Sequence, residues 1–486
     1  MDLFVVPGDT LVEPDRDYDA YFLAETRGLC EHFAYHKHKI VFYLSSMRRF
    51  ARDLRDQGDR VIYKSLRETG SKSYQEVLED TVSDESVDSL TTYAPKDRFF
   101  NAVSDVADTC DVNCSILDNP NFFLSAEEYE SYFADHSYFH QSFYKWQRER
   151  LDVLIDDGEP TGGSWSYDED NRESLGDPSK VPSLPEVSHS PVVGDVKELV
   201  ADEFADHPGR VDNFWLPTSE EAAKEWFETF LSERFEDFGP YQDAINEGVP
   251  FAFHSVISPM MNNGLLNPSY VVRRAETWYD EHDTHLPSVE GFIRQVIGWR
   301  EFMRGVYETK DLRSNYFEHS RGLSDAWWTG DTGLKPVDDV VEQAKEYGYA
   351  HHIQRLMVVS NAMLLCEAHP NDVYQWFMEF FVDSADWVME PNVYGMGQFA
   401  DGGVFATKPY ISSSNYVLKM SDYSEGSWCD DWDALYWTFL DNNRDKLSDN
   451  HRMGFMYSLL DKKGDEELAE MHERASTVRD QLTSPR

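Results

Sequence analysis

Basic residues are scarce in this chain: 44 Lys and Arg stand against 90 Asp and Glu, a formal net charge of −46 over 486 residues. Disorder is one source of such acidity, but 13 Trp, 26 Tyr and 30 Phe exclude it over most of the length. Salt adaptation accounts for it better, because at molar ionic strength the screening length falls to about 3 Å and like surface charges hardly repel. A salt-rich cytosol, as in halophilic archaea, is the expected setting. The acidity does not exclude a nucleic-acid partner, since molar salt removes most of the counterion-release gain of a basic surface. Cysteine is sparse as well. Cys30, Cys110, Cys114, Cys366 and Cys429 show no CxxC spacing, which argues against a disulfide scaffold and an ordinary zinc site. No run of about 18 apolar residues occurs, and "MDLFVVPGDTLVEPDRD" lacks the basic region and apolar core of a leader, so no membrane span and a cytoplasmic location are expected.

What is present divides into two patterns. Over residues 1–126 short apolar strands alternate with helical periodicity: "LFVVPGDTL", "DAYFLAET", the helix "KIVFYLSSMRRFARDLRDQGD", the strand "RVIYKSL", then "SYQEVLEDTV" with "SVDSLTTYAP" and "DRFFNAVSDVAD" with "CSILDNP". Such repeats predict a parallel, doubly wound α/β domain. No GxGxxG opens a helix, so a dinucleotide fingerprint is absent. Residues 127–217 begin helical and become rich in Gly, Pro, Ser and acid, which predicts an interdomain connection. Residues 218–486 carry helical periodicity almost throughout and predict an all-helical domain, with a charged last segment ending in a solvated helix or frayed tail.

Three features of the helical part exceed an aromatic core. "EPNVYGMGQFADGGVFATKPYISSSNYVLKMSDY" is a Gly-, Ser- and Asn-rich segment where a bundle would have a short connection. "GWREFMRGVY" sets Arg300, Glu301 and Arg304 among Trp299 and Phe302 on one helix. "YAHHIQRLMVVSNAMLL" puts His351 and His352 side by side ahead of Arg355. Neighbours on a helix point about 100° apart, so at most one of the two histidines shares the face of Arg355. Together these features suit a pocket for a large planar, phosphate-bearing cofactor.

With "GDTL", "HKHKIVFYLSSMRRFA", "FYKWQRERLDVLIDDGEPTGGSWSYDEDNR", "SPMMNNGLLNPSYVV" and "FIRQVIGWREFMRGVY" these segments, in order, resemble the cryptochrome/photolyase superfamily. Within it the chain is similar to the prokaryotic (6-4) photolyases and the iron-sulfur bacterial cryptochromes and photolyases. The resemblance implies an antenna domain followed by a helical domain that holds FAD, with UV-damaged DNA as partner and a monomer as working form. Light-excited reduced flavin would pass an electron to a pyrimidine (6-4) photoproduct flipped out of the duplex; a cryptochrome that signals without repair is the alternative. His352, with His351, matches the histidine that assists proton transfer at the lesion, and Arg172 and Tyr410 match DNA or lesion contacts. Trp299, Arg300, Glu301, Asn392, Gly395, Asp401 and Gly402 are the candidate FAD-binding residues. Trp376 and Trp328 match the electron-transfer tryptophans and Tyr416 a further aromatic, while Phe377 stands where a tyrosine is usual.

The family's four-iron cluster needs four cysteines. Here Pro336, Ser424 and Ser427 take three of those places, and only Cys429 lies close to the fourth, so no iron-sulfur cluster is expected and Cys366 reads as a core thiol. An antenna such as 6,7-dimethyl-8-ribityllumazine would lie near Gly8, Asp9, Glu31 and Tyr35. The run Asp168, Glu169 and Asp170 reads as a solvated acidic stretch or, less simply, as an attractor of a divalent cation.

Overall fold

The computed structural model describes residues 1–170 and 173–485. Five strands, β1 (Asp2–Val5), β2 (Ala20–Ala24), β3 (Val61–Lys64), β4 (Ser89–Tyr93) and β5 (Asn113–Leu117), form one parallel sheet in the order β3-β2-β1-β4-β5. The central strands are apolar on both faces because helices cover both; Leu3, Phe4, Val5, Phe22 and Leu23 are fully buried. The strand order reverses between β1 and β4, which opens a crevice at their carboxyl ends. Each strand and helix expected from the alternation is present, including the long helix α1 (Lys37–Gln57) and two shorter ones, Tyr74–Glu85 and Ala102–Cys110. The sheet domain is thus α/β and doubly wound, and the remainder is overwhelmingly helical.

Residues 127–217 do more than connect. The helices Ala126–Asp135 and His140–Leu151 pack on the helix that runs through Arg294–Arg300 and Glu301–Thr309, and Pro191–Glu203 packs back onto α1. Between them, the described residues of 152–190 carry only short strands, turns and 3-10 turns, as their Gly, Pro and acid content predicts. The tail is docked rather than frayed. Ala475, Val478 and Leu482 of the helix Asp465–Leu482 are buried, and Thr483–Pro485 pairs antiparallel with Arg321–Leu323.

The seam between sheet and helices is polar and buried. Lys39 donates to the carbonyl and hydroxyl of Ser384 at 2.7 and 2.9 Å, Lys96 to the Asn262 carbonyl at 2.6 Å, and the Trp387 N–H to Asp97 at 3.0 Å. Arg300 and Glu301 belong to this seam. Arg300 donates to the Asn121 carbonyl (2.6 Å) and lies over the Phe122 and Trp387 rings, while Glu301 accepts from Tyr129 (2.7 Å) and the Phe123 N–H (3.0 Å) and sits 3.3 Å from Arg300. Removing one partner of such a pair leaves a buried charge uncompensated, so Glu301→Ala should cost about 3–5 kcal/mol in denaturant unfolding. A loss within about 0.5 kcal/mol, the range of a neutral surface change, would contradict this placement.

Candidate active site and antenna cavity

Three π-helical stretches interrupt the helices of the C-terminal half: Arg294–Arg300, Gln354–Ser360 and Pro391–Gly397. This conformation is rare and clusters at functional sites. The second and third are clasped together, for Gln398 donates to the Ser360 carbonyl and hydroxyl at 3.0 and 2.9 Å. Trp299, His352 and Phe405 lie together: the Trp299 ring is 6.2 Å from His352 and 6.3 Å from Phe405, with His140 at 5.2 Å.

The two adjacent histidines part company as helical geometry requires. His351 is buried and stacks on His254 (4.8 Å, 12°), whereas His352 is reached by solvent although protein surrounds it, and its ring stands beside Trp299. Burial pushes His351 well below its ordinary range, and burial with the nearby Arg355 charge lowers His352 to about 4. His254 also falls to about 4, chiefly by burial. All three are therefore neutral at pH 7. Beneath them Arg355 pairs with Asp383 through two bonds (2.9 and 3.2 Å), donates to the Ala350 carbonyl and lies 3.9 Å over Phe381; Ser258 donates to the same Asp383 at 2.6 Å.

Sequence reasoning missed His254 and Ser258. They sit in a turn where Ala252 (φ 41°) and Val256 (φ 55°) are left-handed, an unfavourable state for a β-branched residue and a mark of functional constraint. The signal was "HSVISP", just ahead of the segment "SPMMNNGLLNPSYVV". His254 Nε2, His351 Nδ1, Asn361 Oδ1 and Gln398 Oε1 are buried without a protein partner. Each such atom is costly unless something polar meets it.

Of the other candidates, Trp299 stands beside His352 and Phe405, while Arg300 and Glu301 belong to the seam. Asn392 donates within its own helix to Val388 (2.7 Å). Gly395 lies flush against Phe405, where a Cβ would collide with the ring. Asp401 accepts from the N–H groups of Gly403 (2.9 Å) and Val404 (3.1 Å), burial raising its carboxyl, and Gly402 is left-handed (φ 74°) under Tyr316. These residues shape the loop that carries Phe405. Tyr410 is half-buried in the field of Arg452 and Asp168, and burial raises its phenol. Asp168 is held 3.0 Å from Arg294, which also pairs with Glu290. Arg172 lies outside the described residues.

Trp376 is fully buried, stacks on Phe380 (4.5 Å) and meets Phe377 and Phe381 edge-on, which brings it beside Arg355. Its indole N–H donates to the Trp327 carbonyl (2.9 Å), the peptide group next to Trp328. Tyr416 sits apart from these tryptophans in sequence, on Ser414–Met420, which packs on Ser427–Asn442. Around Ser424 and Ser427 an aromatic ladder runs Tyr423–Trp428–Trp432 with centroids 6.4 and 6.1 Å apart, and Tyr423 faces Asp339 on the helix that carries Pro336. Cys366 is buried and Cys429 half-buried. Among the described residues no three His, Cys, Asp or Glu side chains are grouped to hold a metal.

A cavity occupies the crevice between β1 and β4 and reaches the helical half. Gly8, Asp9 and Tyr35 line it together with Lys39, Lys96, Asp97 and Trp387. Glu31 does not; it is exposed and paired with Arg27 at 2.8 Å, while its neighbour Cys30 faces the cavity. Burial and the neighbouring Asp386 and Asp9 raise Asp97 to about 7, and burial lowers Lys39 to about 7.

Comparison with known proteins agrees with this architecture. The family described as "Deoxyribodipyrimidine photo-lyase-related protein" matches residues 8–216, and "FAD binding domain of DNA photolyase" matches residues 292–432. A protein of Agrobacterium fabrum named (6-4) photolyase is 34% identical over 460 residues, 91% of each chain. Among solved structures, a class III photolyase from Agrobacterium tumefaciens has a TM-score of 0.56 at 15% identity, covering 99% of this chain and 96% of its own. The Synechocystis cryptochrome has the same score at 12% identity, with 98% of each chain covered. The chain belongs to the cryptochrome/photolyase family and carries its FAD-binding domain.

The histidine geometry has a direct check. In NMR titration of ring protons, His254, His351 and His352 should show no protonation step between pH 6 and 8; a midpoint near 6.5, the ordinary value, for any of them would contradict its enclosure.

Proposed function

We propose that this protein is a light-dependent (6-4) photolyase acting on pyrimidine (6-4) photoproducts in UV-damaged DNA. The observation that carries the reading is the position of His352: solvent-reachable and beside Trp299, while His351 is fixed against His254. FAD fits the chain's own features, since buried unpartnered atoms on His254, His351, Asn361 and Gln398 are what a large polar cofactor would meet. When bound and reduced, FAD supplies on blue-light excitation the electron that starts repair.

The remaining work falls to side chains. A neutral imidazole has one N–H and one bare nitrogen, so His352 can hand a proton to the lesion and take one back. Trp299 and Phe405 give an extruded, already unstacked base an aromatic wall, and Tyr410 stands at the rim. Lys408 and Arg452 make no ion pair among the described residues, although acids outnumber bases twofold, and Asn450 ties their two segments together by donating to the Thr407 carbonyl (2.9 Å). Unpaired cations beside the rim suit DNA phosphates. The crevice cavity is the proposed antenna site, with Gly8, Asp9 and Tyr35 in its wall and a ribityl lumazine as the ligand. The Tyr423–Trp428–Trp432 ladder is proposed to replace a cluster.

A cryptochrome is the second reading. It is favoured by the buried path from Trp376 through the Trp327 carbonyl towards Trp328, which is independent of the lesion rim. The two are separated by His352→Ala: as a photolyase the variant should keep its flavin spectrum and lose about 10²–10⁴-fold in repair rate. An unchanged rate would remove His352 from the chemistry. Tyr410→Ala should weaken binding of lesion-bearing duplex by about 1–3 kcal/mol while leaving undamaged duplex unaffected; equal losses on both would reassign Tyr410 to general backbone contact.

A further inference from the structure

Three tryptophans lie together at the end of the helix Pro370–Phe380, and their indole N–H groups have different partners. Trp376 donates to the Trp327 carbonyl (2.9 Å) and Trp327 to the Leu482 carbonyl (2.8 Å). A peptide carbonyl accepts a hydrogen bond but is too weak a base to keep the proton. Trp328 donates instead to the side chain of Glu379, Nε1 to Oε2 at 2.9 Å. Glu379 is 4% exposed, and its other oxygen accepts from the Gln375 amide at 2.7 Å. Among these three tryptophans, Trp328 alone therefore faces a group able to take and hold its proton.

We propose that Glu379 is the proton acceptor that makes Trp328 the terminus of flavin photoreduction. The proposal rests on the flavin and tryptophan assignments above. The oxidant would be a photoexcited, oxidised flavin bound by the FAD-binding domain. It takes one electron from Trp376, and Trp328 refills Trp376 with one electron, becoming an indole radical cation. The Nε1–H bond of Trp328 then breaks: the proton passes to Glu379 Oε2, giving a carboxylic acid, and a neutral indolyl radical remains. A solution thiolate returns one electron to that radical and becomes a thiyl radical, and Glu379 returns the proton to Nε1. Charge recombination is slowed because the electron would now have to come back to a site that has lost its proton. Before transfer, the carboxylate also stabilises the cation electrostatically, an effect that is strong away from water. Trp327, nearer the core but without a base, offers no such trap.

The test is transient absorption of the flavin-loaded protein after a laser flash, which reads the tryptophan radical cation and neutral radical by their separate spectra. Glu379→Gln keeps an acceptor oxygen for the Trp328 N–H but cannot take its proton. The expected result is loss of the neutral-radical signal, faster decay of the cation, and a severalfold lower yield of flavin reduction by thiol under steady light, with the ground-state flavin spectrum unchanged. Neutral radical forming in Glu379→Gln at the original rate would overturn the proposal and leave the tryptophan path intact. Photoreduction at the original yield in Trp328→Phe would overturn both. Glu379→Asp, which shortens the acid by one methylene but keeps its base, should restore part of the neutral-radical signal, and full loss in that variant as well as in Glu379→Gln would point to packing instead of proton transfer.

Discussion

The buried ion pair Arg355–Asp383 is the constraint on which the rest of the molecule depends. Taking two charges out of water costs several kcal/mol per ion, and only good geometry with further hydrogen bonds recovers it. Here the recovery is shared by several elements: Ser258 and the Ala350 carbonyl complete the pair, Asn262 donates to the Asp383 carbonyl at 3.0 Å, and Phe381 and Tyr349 cover the guanidinium. The pair therefore fixes three things at once. It sets the floor beneath His351 and His352, closes the strained turn that presents His254, and orients the segment 381–387.

That segment is also where the two halves of the chain meet. Ser384 takes the Lys39 ammonium from α1, Asp386 collects the hydroxyls of Tyr307 and Tyr374 with Arg313, and the Trp387 N–H reaches Asp97 beyond β4. The crevice cavity is bounded by the same residues, Ser384 and Trp387 among them. A short run of sequence thus supports the histidine cluster on one side and the crevice of the sheet on the other, which fixes the spacing between the two.

Much of the fold was legible because its signals are local. The strand and helix alternation to Leu117 and the long helical periodicities from Glu220 follow from apolar spacing alone. The histidine pair was legible in part: 100° between neighbours decides that His351 and His352 diverge, but which one is buried depends on His254, almost a hundred residues earlier. Arg300 and Glu301 looked like cofactor ligands because charge is unusual in a core helix; their real partners, Asn121, Phe123 and Tyr129, belong to a segment whose docking no periodicity reveals. Glu31 failed for a related reason, since a short helix rotates it to solvent and turns Cys30 inward. The π-helical stretches were invisible, because their sequences keep an ordinary helical apolar pattern and differ only in one hydrogen-bond register.

The central claim is that the site around Trp299 and His352 repairs a (6-4) photoproduct. The most direct measurement is blue-light illumination of the reduced, FAD-loaded protein in molar salt with a synthetic (6-4) lesion oligonucleotide, followed by chromatography of the strand. Restored pyrimidines, formed in light and absent in the dark, are the predicted result. Flavin photoreduction with the lesion untouched at every salt concentration would contradict it and leave the cryptochrome reading in its place.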